Sequence, residues 1–413
     1  MKKSVLESWI RRETGCQSRE ELDRWQLERL NEALAYAREH SSFYREHLKA
    51  GPDIRSRADL SRLPFTTGGQ LQADPRKWLC CGAAEVERIV TLKTSGTTHA
   101  PKRIFFRRED QERTIEFFAH GMEELVSPGD RVLILMPGRQ PGSVGDLLEK
   151  GLARTGVQAI QGGPVADIRS CCELLRSSGC NSLVGIPVQV LGLAEHIARL
   201  PAEQRPRLKS VLLSADASHP VLIRRIRELL DCEVFDHFGM TEMGFGVAVE
   251  CSAHRGGHIR ENDILVEVVD PETGASLPDG RPGELVFTTL DRRATPFLRY
   301  RTGDVGMLLP GPCPCGSFLR RMLPLGGRLA DQGRLWALDG VLLACPGLVD
   351  YAISETVDGP VLTLFGVVPP DQSEARRRLA EAGYAVPERI DARTITGFSG
   401  TGMQKRSFLE RSI

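Results

Sequence analysis

The chain has 413 residues, enough for two or three cores at roughly one domain per 100–200 residues. Its 54 Lys and Arg balance 54 Asp and Glu, so no net field draws the chain to nucleic acid or an anionic membrane, and a small-molecule partner is expected. Apolar stretches such as 132–136 and 182–193 are short or broken by Pro187 and Gln189, the charged N-terminus lacks a signal-peptide core, and eleven cysteines then read as reduced thiols of a cytoplasmic protein.

Residues 20–47 carry Leu22, Trp25, Leu27, Leu30, Leu34 and Ala37 at helical spacing, which predicts one amphipathic helix with an exposed face suited to a homodimer. After a turn at Gly51-Pro52, short apolar runs alternate with helical patterns: 132–136 then 144–155, 157–160 then 168–177, 182–186 then 188–200, and 210–214 then 220–230. Such alternation predicts βα units around a mainly parallel sheet, with ligand chemistry in loops leaving the strand ends. From Ile264 the pattern turns to strand and turn, with runs at 264–269 and 284–288 around Asp279-Gly280, so an antiparallel subdomain is expected. Leu325-Gly326-Gly327-Arg328 reads as a hinge, and the last 85 or so residues, with a strand at 361–368 and a helix at 373–382, read as a small α+β domain. The expectation is an α/β fold: a large domain over 1–327 with parallel sheets flanked by helices plus the antiparallel part, and a mobile domain over 328–413.

Three segments between these elements carry chemistry. Thr94, Ser95, Gly96, Thr97 and Thr98 offer backbone N–H groups and hydroxyls to phosphate oxygens, with Lys102 to supply charge, although the Gly-Lys pair of a P-loop is absent. In Asp236-His237-Phe238-Gly239-Met240-Thr241-Glu242, an aromatic beside glycine can lie on a flat base, while Thr241 and Glu242 can reach phosphate and magnesium. In Arg299-Tyr300-Arg301-Thr302-Gly303-Asp304, an aspartate on a turn can accept hydrogen bonds from two ribose hydroxyls. Taken singly, each is also compatible with a polar turn. Cys313 and Cys315, with Cys251 and His258 upstream and His254 as a competing ligand, supply three thiolates and an imidazole, a closed tetrahedral set for structural zinc; reduced cysteines in a turn are the other reading.

Together, "LAYAREHSSFYREHL", "LPFTT", "TSGTT", "FGMTE", "DPETGASLPDGRPGELVFTTL", "RYRTGD" and "GGR" make the chain resemble the adenylate-forming acyl-CoA synthetases, in the phenylacetate-CoA ligase branch. The resemblance implies that ATP and a carboxylic acid give an acyl-adenylate and pyrophosphate, after which the small domain rotates and the CoA thiol takes the acyl group. By resemblance, Thr94 to Thr98 hold phosphates and Glu242 holds magnesium. Ser214, Ala215 and Asp216, with Asp236, His237, Phe238 and Gly239, wall the adenine, and Asp304 and Arg328 grip the ribose. An aryl or other hydrophobic acid is expected, in a pocket made by loops near 137–144, 160–164 and 185–188.

The chain departs from the family pattern at three places. His99-Ala100 stands where Gly-Lys is usual, leaving charge to Lys102 and Arg103; Leu329-Ala330-Asp331 replaces paired aspartates at the hinge; and Met403 falls at the catalytic lysine, leaving Lys405 as the candidate catalytic group with Thr241 and Glu242. An acceptor other than CoA, or a nucleotide-binding protein without catalysis, stays open on these residues.

Overall fold

A computed structural model of the chain describes residues 3–48, 54–92, 101–329, 333–357 and 359–398. Four stretches of chain make two units: Met1–Glu124 with His237–Leu325, and Leu125–Asp236 with Gly326–Ile413.

The first stretch opens with α1 (Val5–Thr14), α2 (Arg19–His40) and α3 (Ser42–Leu48). The single helix expected over 20–47 is in fact two. Ser41 turns extended at φ −105° and ψ 126°; its hydroxyl donates to the Lys77 carbonyl at 2.7 Å and accepts from the Tyr44 N–H at 3.2 Å. Helix formers on both sides hide such a break from periodicity, because the cap partner lies 36 residues away. There follow β1 (Thr66–Thr67), α4 (Gly68–Ala73), the hairpin of β2 (Arg88–Leu92) and β3 (Lys102–Phe106), and α5 (Arg108–Met122).

The second stretch is built from βα units: β4 (Arg131–Leu135), α6 (Val144–Arg154), β5 (Gln158–Gln161), α7 (Ile168–Ser177), β6 (Ser182–Gly185), α8 (Pro187–Ala198), β7 (Ser210–Leu213), α9 (Pro220–Leu230) and β8 (Glu233–Phe238). Pairing is parallel from β5 through β4, β6 and β7 to β8. Strands β6 and β7 are buried at every residue, which is why they read as short continuous apolar runs. The helices start where the sequence offers caps: Asp167 accepts from the Ser170 N–H, and Pro187 and Pro220 sit in the first turns of α8 and α9.

Residues 237–325 return to the first unit with β9 (Ala248–Glu250), β10 (Gly257–Ile259), β11 (Ile264–Val269), β12 (Gly283–Thr289), β13 (Tyr300–Leu308) and the start of β14 (Arg321–Arg328). Here the pairing is antiparallel, as between β11 and β12, β12 and β13, and β9 and β10. One expectation is corrected: the segment around Gly303-Asp304 is part of a nine-residue strand rather than a free turn, bent at Gly303 with φ +73°. The glycines read as a hinge lie in an eight-residue strand, where Gly326 takes φ +62° and a Cβ would fall 1.7 Å from the Trp336 ring. In the core of this unit, fully buried Trp78 stacks on Phe43 at 4.2 Å and the Tyr44 hydroxyl donates to the Pro296 carbonyl at 2.9 Å.

The final stretch holds α10 (Arg334–Leu342), β15 (Asp350–Thr356), β16 (Gly359–Gly366), α11 (Gln372–Glu381) and β17 (Arg389–Thr394) in a three-stranded α+β layout. It is packed against the βα stretch. Arg225 of α9 donates to the carbonyls of Leu343 at 2.8 Å and Leu348 at 2.6 Å and pairs with Glu195 of α8. The Ile168 N–H donates to the Thr396 carbonyl at 2.8 Å and the Phe398 N–H to the Val165 carbonyl at 3.1 Å.

Candidate functional site

In the first unit, β3 opens with Lys102, and the turn following β8 carries Thr241–Met243 as one 3₁₀ turn closed by Gly244 at φ +67°. This brings two residues singled out from sequence into contact: Lys102 Nζ lies 3.1 Å from Glu242 Oε1. Glu242 is only 5% exposed, so its charge needs the partner. Tyr300, at the start of β13, completes a triangle: its hydroxyl is 3.0 Å from Lys102 Nζ and 3.2 Å from the same Glu242 oxygen. In the sequence Tyr300 is only a neighbour of Asp304, and the pleat of β13 gives it its own position. Thr94 to Thr98 and Lys405 lie outside the described residues.

Around this triangle, Phe238 packs on Phe287 with ring centroids 6.0 Å apart. A Cβ on Gly239 would fall 1.9 Å from the Phe245 carbonyl oxygen, so the chain doubles back on itself here and tolerates no side chain. His237 is buried against Phe117 and Phe118; burial first, and then nearby Arg260, push its imidazole down to about 4, so it is neutral at pH 7. Asp304 follows the bend at Gly303, whose N–H donates to Glu284 Oε1 at 3.0 Å, and its own N–H donates to Thr302 Oγ1 at 2.9 Å.

In the second unit, Leu213 of β7 is in register with Asp236 of β8, so Ser214, Ala215 and Asp216 leave the sheet beside Asp236, at the carboxyl ends of parallel strands. Ala215 takes φ +75°, a conformation that costs a non-glycine residue on the order of 1 kcal/mol or more and gathers at ligand sites. Ser214 is anchored by its N–H to the Gly185 carbonyl at 3.1 Å, and Asp216 accepts from the Ala217 N–H at 2.9 Å. The end of β5 and the first turn of α6, which border the loops expected around the acid, meet where Gln161 Nε2 donates to the Gly145 carbonyl at 2.9 Å. Arg328 ends β14.

The four residues read as zinc ligands also come together, within the first unit. Cys251 follows β9, His258 is in β10, and Cys313 and Cys315 sit in a turn closed by the Gly316 N–H on the Cys313 carbonyl at 2.9 Å. All four are buried and their ligand atoms lie within 4.8 Å of one another. Cys251 Sγ is 3.8 Å from Cys313 Sγ, and Cys315 Sγ is 3.4 Å from His258 Nε2. A tetrahedron with Zn–S bonds of about 2.3 Å has edges of about 3.8 Å, so the donors fit that ion. Without a cation, burial pushes the Cys251 thiol up and His258 down to about 4. His254 pairs with Glu250 at 3.3 Å instead of joining the set.

Comparison with known proteins gives the family and the fold. Residues 89–289 match the family model described as AMP-binding enzyme. The phenylacetate-coenzyme A ligase of Thermus thermophilus is 32% identical over 355 residues, covering 81% of this chain and 78% of that relative. The phenylacetate-coenzyme A ligase of Aromatoleum evansii is 31% identical over 327 residues, 76% of this chain and 72% of its own. Among solved structures, 2-hydroxyisobutyryl-CoA ligase in its postadenylation state superposes with a TM-score of 0.76 at 24% identity, covering 95% of this chain and 89% of that one. That likeness extends the fold to nearly the whole length.

Proposed function

The chain belongs to the AMP-binding enzymes, in the branch of the phenylacetate-CoA ligases, and from that premise we propose that it is an ATP-dependent acid–CoA ligase acting on an aryl or similarly hydrophobic carboxylic acid. The observation that carries the reading is the buried Glu242 held by Lys102 and Tyr300 directly after the strand that ends Asp236-His237-Phe238. A carboxylate attacks phosphorus only if the repulsion between two anions is offset, and a buried carboxylate beside a movable ammonium is suited to gathering the cationic charge that does so.

In the first step the acid's oxygen bonds to the α-phosphorus and pyrophosphate leaves with the electron pair of the broken bridge bond. The thiol of CoA then attacks the acyl carbon, AMP leaves, and the thiol proton is lost to solvent. Glu242 would hold a magnesium ion, which supplies Lewis-acid stabilisation of the phosphate charge. Thr94 to Thr98, Lys102 and Thr241 contact phosphates. Ser214 to Asp216 and Asp236 to Gly239 take the base, and Asp304 and Arg328 the ribose. Lys405 takes the α-phosphate and carboxylate charge that Met403 cannot. Cys251, His258, Cys313 and Cys315 would hold a zinc ion, which would tie the β9–β10 segment to the turn before β14 and take no part in the chemistry. Among the described residues no helix is long and apolar enough to cross a membrane; the proposal places the enzyme in the cytoplasm, where ATP, CoA and thiols coexist.

The test is to incubate the protein with Mg-ATP, CoA and a panel of aryl and aliphatic acids and to look for the acyl-CoA by mass. A thioester from an aryl acid, absent when either ATP or CoA is left out, is expected. Acid-dependent AMP release with no thioester would replace CoA with another acceptor.

A further inference from the structure

The proposed reaction leaves Tyr300 without a task, yet it is among the most buried polar side chains near Glu242, at 1% exposure. Lysine has only protons to give and a phenol has one, with lone pairs to accept. The distances therefore read as Lys102 donating both to Glu242 Oε1 and to the Tyr300 oxygen, and Tyr300 donating its proton to Glu242 Oε1. The two donors differ in rigidity. Tyr300 is fixed by β13 between Thr66 of β1 and Phe287 of β12, with Phe297 edge-on at 5.0 Å. Lys102 is a long stem with 22% of its side chain exposed. Gly68 makes room for the meeting: a Cβ there would lie 2.8 Å from Lys102 Cε and Nζ and 3.2 Å from the Tyr300 oxygen.

We propose that Tyr300 is a positioning residue for Glu242: its hydroxyl keeps Oε1 aimed while the Lys102 ammonium is exchanged for a divalent cation, with the bare backbone of Gly68 leaving Lys102 the space to come and go. Lys102 and the cation compete for one carboxylate oxygen, so Lys102 neutralises Glu242 in the empty enzyme and is released to phosphate when Mg-ATP binds. Without the phenol proton, a carboxylate freed from Lys102 would turn within its cavity. This inference rests on the reading that Glu242 serves the magnesium of Mg-ATP.

The experiment is calorimetric titration of the full chain with Mg-ATP and, separately, with AMP in EDTA, which needs no cation. Tyr300→Phe is expected to weaken Mg-ATP about tenfold, the size of a lost hydrogen bond to a charged group, and to leave AMP unchanged. Gly68→Ala, whose Cβ would crowd Lys102 Nζ where it pairs with Glu242 while the hydroxyl stays, is expected to displace the competing ammonium and tighten Mg-ATP with AMP unchanged, and covers the case in which Tyr300→Phe fails to fold. Equal losses of both ligands or no loss of either in Tyr300→Phe, or weakened Mg-ATP in Gly68→Ala, would overturn the proposal. Glu242→Gln separates the two levels. If it leaves Mg-ATP binding untouched, the assignment of Glu242 has failed; if it weakens Mg-ATP while Tyr300→Phe does not, the positioning role alone has failed.

Discussion

His237 shows how one side chain can make the stability of the protein depend on pH. Its folded value, lowered to about 4 by burial, lies below the ordinary value near 6.5. The unfolded chain thus takes up a proton below pH 6.5 that the folded chain refuses until the pH nears 4. The contribution is whole above 6.5 and is lost as pH falls through that window, at about 1.4 kcal/mol per unit. His258, held near 4 as well when no metal is bound, adds a slope of the same sign. The measurement is therefore a comparison: denaturant unfolding from pH 7 to 4.5 should give a shallower pH dependence for His237→Gln than for the parent, and equal slopes would count against it. For the cysteine cluster, metal analysis should find about one zinc per chain, and Cys313→Ser should lose it with about 2 kcal/mol or more of stability; a metal-free parent with an unchanged melting curve in chelator would reject the site. At this scale the sequence was informative where a residue type carries its chemistry with it. That Cys251, His258, Cys313 and Cys315 come together was legible from donor type and spacing, and that Lys102 and Glu242 fall near one another from their motifs. Tyr300 and Gly68 were not, because their roles come from strand register and from a contact between residues 34 positions apart.

Among the elements, α8 and α9 show the same division. Their limits were readable from Pro187, Pro220 and the apolar spacing, since a βα unit announces both of its periods in one short window. What α9 holds was not readable. Buried Arg225 reaches the carbonyls of Leu343 and Leu348, over a hundred residues on, and pairs with buried Glu195, which also pairs with Arg199. Replacing it by methionine keeps the stem but leaves Glu195 to Arg199 alone and takes the donor from two carbonyls. Arg225→Met is expected to cost about 3 kcal/mol and to expose residues 343–349 to protease before the rest of that unit. A melting curve and digestion pattern like the parent's would show the clamp to be idle. Two expectations that the structure changed, the unbroken helix across Ser41 and the free turn at Gly303-Asp304, share a cause: both places are held by partners distant in the chain, Lys77 for the first and Glu284 for the second.

For the molecule as a whole, family membership and fold agree over most of the chain, and the expected boundary at 327/328 falls beside the junction at 325/326. The expectation of a separate mobile domain over 328–413 stands as a proposal: in this conformation those residues pack with 125–236 as one unit. Chemistry near the C-terminus rests on sequence alone. If Lys405 serves in place of Met403, Lys405→Ala should lower adenylate formation by roughly a hundredfold while CoA transfer from a supplied acyl-adenylate continues; unchanged adenylation would remove Lys405 from the mechanism. The measurement that bears most directly on the central claim is acid-dependent exchange of labelled pyrophosphate into ATP, with Mg²⁺ present and CoA absent. It reports reversible formation of an acyl-adenylate and nothing later. Exchange that requires a hydrophobic carboxylic acid and vanishes in Glu242→Gln is expected. No exchange with any acid, from protein shown to bind ATP, would contradict it.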